Sequence, residues 1–126
     1  LELWLGDEQV IADPGTYLYT PLPDKRNMYR SVKAHNAPQF NDLSEPGRLD
    51  LGIFSLPDKG EAQALEVSKT LFVGSHFGYG DPVYRAIEIS ADNIVISDWC
   101  RDRPNSALII PPPLPYSRGY GWVNHE

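Results

Sequence analysis

The sequence predicts an all-β fold: an antiparallel β-sandwich of many short strands with little or no helix. Three observations predict it. Twelve prolines and ten glycines are spread through 126 residues, so no helical pattern of ordinary length runs uninterrupted. Apolar residues alternate in several short segments, which is the period of strands buried on one face. Turn residues separate those segments at short intervals, as in sandwich folds.

Taken in order, LELWL places Leu1, Leu3 and Leu5 on one face and is predicted as the first strand. QVIA follows, leading into Asp13, Pro14 and Gly15, which suit a type II turn with Pro second and Gly third. MYRSVKAH is predicted as the next strand, and RLDLGI alternates Leu49, Leu51 and Ile53. EAQALEVSKTL has a composition that suits a helix, but Val67 and its neighbours favour a strand, and a strand is predicted. LFVGSHFGY is strand-like, with Gly74 and Gly78 marking bulges or close backbone approaches. YRAIEIS and IVISDW flank Ala91, Asp92 and Asn93, a polar connection that predicts a hairpin. The tail IIPPPLPYSRGYGWVNHE favours extended or polyproline geometry along a domain flank.

A chain of this length makes one domain over residues 1–126, burying roughly two-thirds of its unfolded surface. It opens on a strand without an initiator Met, which suggests a piece of a longer chain. The net charge of −6 argues against a nucleic-acid or anionic-membrane partner, since both reward a broadly basic surface. No apolar run approaches the roughly 20 residues of a membrane span. Cys100 is the lone cysteine, so no intrachain disulfide forms, and a buried apolar role is expected for it.

Residues 13–36, DPGTYLYTPLPDKRNMYRSVKAHN, ask for a chemical explanation. They gather Asp13, three tyrosines (Tyr17, Tyr19, Tyr29), four cations (Lys25, Arg26, Arg30, Lys33) and His35. The cations make one basic segment in an acidic protein, read either as a solvated face or as a grip on an anionic ligand. Asp13 sits at a strand end, and His35 lies 22 residues on; if the flanking segments pair, the two approach each other. Such a pair is a hydrogen-bonded structural contact, two ligands of a zinc site, or a base with its orienting carboxylate.

The order DPGTYLY, Arg26, YRS and AHN closely resembles the C-terminal β-sandwich domain of heparinase II/III-like polysaccharide lyases, and GYGDPVYRAIEIS with NIVISDW resembles that domain's later hairpin, with its basic residue at Arg85. Members pair this sandwich with an N-terminal α/α toroid and cleave acidic polysaccharides containing uronic acids by β-elimination. The resemblance implies that Asp13 and His35 match zinc-binding positions, with a further His on a strand before LELWL. It implies catalytic roles among His35, Tyr29 and Tyr19, and carboxylate binding by Arg26 or Arg30. A periplasmic or secreted location follows from the same likeness. It also implies that these 126 residues, without the toroid, supply one wall of a cleft and do not turn over substrate alone. The competing reading is a non-catalytic module that binds acidic glycans or only supports a neighbouring domain.

Overall fold

The computed structural model describes residues 1–18, 20–40, 55 and 60–100, and the backbone of residues 103–106. Tyr19, the segment RLDLGI and the Pro-rich tail lie outside the described residues. The described residues are mostly strands in two antiparallel sheets with one short helix, so the all-β class holds. They form two compact units, one over Leu1–Ala37 and one over residues 38–40 and 60–106.

The first unit begins with a hairpin of β1 (Leu3–Leu5) and β2 (Glu8–Ile11). Leu5 pairs with Glu8, leaving Gly6 and Asp7 as a two-residue turn. Gly6 has φ +63, which glycine adopts without the penalty a Cβ would bring at the first turn position.

The predicted strand MYRSVKAH is instead the end of a helix, α1 (Pro23–Arg30), followed by a 3-10 turn over Val32–Ala34. The helix signals lie just upstream of that segment. Pro23 occupies the first turn, where its missing N–H leaves no bond unmade, and Asp24 and Arg30 sit at the ends where their charges favour the helix dipole. At eight residues α1 is shorter than an ordinary helix, so proline punctuation limited its length without abolishing it. Its last bond runs from the Ser31 N–H to the Asn27 carbonyl (2.9 Å), after which Ser31 turns to extended backbone. The Ser31 hydroxyl then accepts from the Lys33 N–H (3.2 Å) and caps the 3-10 turn. Arg26 and Tyr29, three apart and hence on one face, are the buried residues of α1.

The second unit is a five-stranded meander in sequence order: β3 (Gln63–Val67), β4 (Leu71–His76), β5 (Val83–Ile89), β6 (Ile94–Cys100) and β7 (Arg103–Ser106). The ambiguous EAQALEVSKTL is a strand, as expected, and YRAIEIS with IVISDW is the expected hairpin, Ile89 pairing with Ile94 across the polar turn. Ser90 closes that turn by donating its N–H to the Asn93 carbonyl (2.8 Å). Val83, Cys100 and Phe40 form the buried cluster, with the Tyr79 ring edge-on to Phe40 at 5.6 Å. Cys100 thus has the buried role its isolation predicts.

Candidate active site

The 22-residue gap between Asp13 and His35 is closed by the hairpin on one side and α1 with its 3-10 turn on the other. After β2, where a type II turn was expected, no turn is assigned and Gly15, with φ +71, is a single bridge residue. The Gly15 N–H donates to Asp13 Oδ1 (2.9 Å), which fixes the carboxylate at the strand end. Asp13 Oδ2 lies 2.6 Å from His35 Nδ1, and His35 Nε2 lies 2.8 Å from the Tyr29 carbonyl. One residue further on, Asn36 is buried and donates from Nδ2 to the Ala12 carbonyl (2.9 Å). Two adjacent side chains thus stitch the helical segment to the end of β2.

Both ring nitrogens of His35 face oxygen acceptors. A neutral imidazole has one N–H and can satisfy only one of them, whereas an imidazolium donates to both. Asp13 at Nδ1 sets the orientation of the ring. Burial by itself would raise the Asp13 pKa; the hydrogen bonds from His35 and Gly15 and the His35 charge outweigh it, and the result lies below the ordinary 3.8. A carboxylate with a lowered native pKa stabilises the fold above its ordinary pKa, and that contribution is lost as pH falls through the native value. Asp13→Asn should therefore flatten the dependence of urea stability on pH below about 4. Parallel wild-type and mutant curves in that range would show that the pair adds no stability.

Tyr29 is buried at 5% exposure, its ring stacked on Tyr17 with centroids 5.3 Å apart. Burial, and then the neighbouring Tyr17 hydroxyl, push the Tyr29 pKa above the ordinary 10.0, so its phenol keeps its proton through the neutral range. The exposed Lys25 ammonium stands over the Tyr17 ring at 5.9 Å, a cation–π arrangement. Of the two arginines expected to meet substrate, Arg26 is buried and its Nε donates to Asn27 Oδ1 (3.2 Å), while Arg30 at the end of α1 is half-buried. Lys33 is exposed. The four cations therefore do not act as one solvent-facing set. Tyr19 lies outside the described residues.

A zinc ion needs three or four protein donors, and Asp13 with His35 supplies two. Among the described residues no group of three His, Cys, Asp or Glu side chains comes together. At 2.6 Å the carboxylate and the ring nitrogen are bonded to each other. The described donors do not by themselves make up a zinc site.

The second unit holds a charge pair that the sequence pattern did not single out. Arg85 on β5 faces Asp98 on β6 in register, donating from Nε to Oδ1 and from Nη2 to Oδ2, both at 2.7 Å. The side chains are only 11% and 2% exposed. The sequence held no sufficient signal, because a connection of Ala91, Asp92 and Asn93 would set Arg85 opposite Trp99, and only the observed register, Ile89 opposite Ile94, brings it to Asp98.

Such an arrangement defines an antiparallel β protein carrying a carboxylate-oriented histidine beside a tyrosine-bearing helix. The family model described as heparinase II/III-like, C-terminal, matches residues 1–106, and the chain belongs to that family, a polysaccharide-lyase-related domain. No curated protein and no solved structure matches it significantly.

Proposed function

We propose that this domain forms one wall of a polysaccharide-lyase cleft that cleaves uronic-acid-containing glycans by β-elimination, with an α/α toroid domain as the opposite wall. The observation that carries the reading is His35 held between the Asp13 carboxylate and the Tyr29 carbonyl, with its side chain 31% exposed and so within reach of a ligand. In β-elimination a base removes the C5 proton of the uronate and the electron pair forms the C4–C5 double bond. The C4–O bond breaks, and an acid protonates the departing oxygen. A cation against the sugar carboxylate makes the C5 proton more acidic.

Asp13 sets the orientation and proton inventory of His35, as a carboxylate partner does for acid–base histidines. His35 takes the C5 proton at Nε2, exchanging its contact with the Tyr29 carbonyl for one with the sugar while its Nδ1–H stays on Asp13, and Tyr29 gives its proton to the departing oxygen. Tyr29, which keeps its proton, fits the role of acid and not that of base. Between the two arginines, half-buried Arg30 is better placed for the sugar carboxylate than buried Arg26.

The test is turnover of acidic polysaccharides by protein that carries both the toroid and this domain, read as the ultraviolet absorbance of unsaturated uronate ends. Tyr29→Phe keeps the ring that stacks on Tyr17 and removes only the proton donor. It is expected to lower kcat by about a hundredfold or more. Unchanged kcat in Tyr29→Phe would remove Tyr29 from the mechanism, and no unsaturated product from any uronate polymer would overturn the lyase reading.

A further inference from the structure

The five-stranded unit contains a concavity remote in sequence from the Asp13–His35 pair. It has a volume of about 330 Å³, at the small end of the range for ligand sites, and its lining includes Gln63, Phe72, Gly74, Ser75, His76 and Arg85. Register explains its shape. Gly74 on β4 pairs with Ala64 on β3 and Arg85 on β5, and Phe72 and His76 flank it two residues away on the same face. A Cβ at Gly74 would lie 2.8 Å from the Phe72 ring, so glycine is what allows that ring to lie over the strand. Phe72 is nevertheless 38% exposed, leaving much of the ring uncovered.

The polar groups of this pocket carry little net charge. The Arg85 guanidinium is matched by the nearly inaccessible Asp98 carboxylate. His76 accepts from the Gly78 N–H at Nδ1 (3.0 Å), which places the ring's one proton on Nε2. Burial, then the Arg85 charge, hold the His76 pKa below the ordinary 6.5, with Asp98 opposing. The ring is therefore neutral at physiological pH.

We propose that this pocket is a second ligand site, which takes an uncharged sugar ring against the face of Phe72 with the Nε2–H of His76 donating to a hydroxyl. A flat, partly exposed aromatic ring suits the C–H face of a sugar, and the donor beside it supplies orientation. The cancelled charge selects against carboxylates and sulfates, because an anion would leave its solvation for a pocket with no net positive charge to replace it. The assignment does not depend on the lyase reading, since it uses none of Asp13, Tyr29 or His35.

The experiment titrates the chain with methyl glucoside, glucuronate and inorganic sulfate while following the NMR signals of the His76 and Phe72 rings. Methyl glucoside should shift both saturably in the millimolar range, and neither anion should bind more tightly. Phe72→Ala should weaken the neutral sugar by about tenfold, while Phe72→Tyr, which keeps the ring, retains it. The proposal is overturned by an absence of saturable shifts, by tighter binding of either anion, or by wild-type affinity in Phe72→Ala. A lyase that fails to turn over uronates would leave it untouched.

Discussion

Replacing His35 with alanine in protein that carries both the domain and the proposed toroid should lower kcat by about two to four orders of magnitude while the fold persists. The size follows from what the residue does in the proposed cycle. A positioned acid–base group contributes to the transition state in which a proton moves, and deleting it removes that contribution from kcat more than from KM. His35 is also a structural tie, so activity must be compared with a folding readout. Asp13→Asn supplies the comparison: it keeps the ring but replaces the charged acceptor at Nδ1. It should leave a measurable residual rate, well above that of His35→Ala. Wild-type kcat in His35→Ala would reduce the Asp13–His35 contact to a fold-stabilising pair.

Truncation of Asp98 to alanine is expected to cost the five-stranded unit about 3–5 kcal/mol. The carboxylate is 2% exposed and accepts two hydrogen bonds from Arg85, so its removal takes both of these bonds from a guanidinium that is itself only 11% exposed. Removing both charges should cost far less. With Arg85→Met and Asp98→Leu together, the lost attraction is offset by the desolvation that no longer has to be met, and stability should return to within about 1–2 kcal/mol of wild type. Denaturant titration of the two variants measures the difference directly. Equal destabilisation in the single and double variants would show that the pair contributes through shape alone.

The Asp13–His35 approach was legible in the sequence although the element carrying His35 was not. The strand expected for MYRSVKAH gives way to a helix whose start is marked upstream of it by Pro23 and Asp24. A strand and a short helix with a 3-10 turn both return the chain toward β2, so the contact survived the wrong element type. Tyr29 shows the limit of composition. Its position among cations marked it as chemical, but its burial and its stacking on Tyr17 depend on which face of α1 packs inward. Arg26, three residues earlier, is buried on the same face for the same reason.

By itself, then, the chain determined the all-β class and the hairpin of β5 and β6, because alternation and turn residues are local properties, whereas the register that sets Arg85 opposite Asp98 came from the structure. It also carried the family's motif residues in order. Only the tertiary structure decided that His35 meets an acceptor at each nitrogen, that Arg26 is buried while Lys25 is exposed, and that Gly74 leaves room for the Phe72 ring. Those outcomes depend on how side chains distant along the chain share space and solvent, and neither spacing nor residue type encodes that sharing.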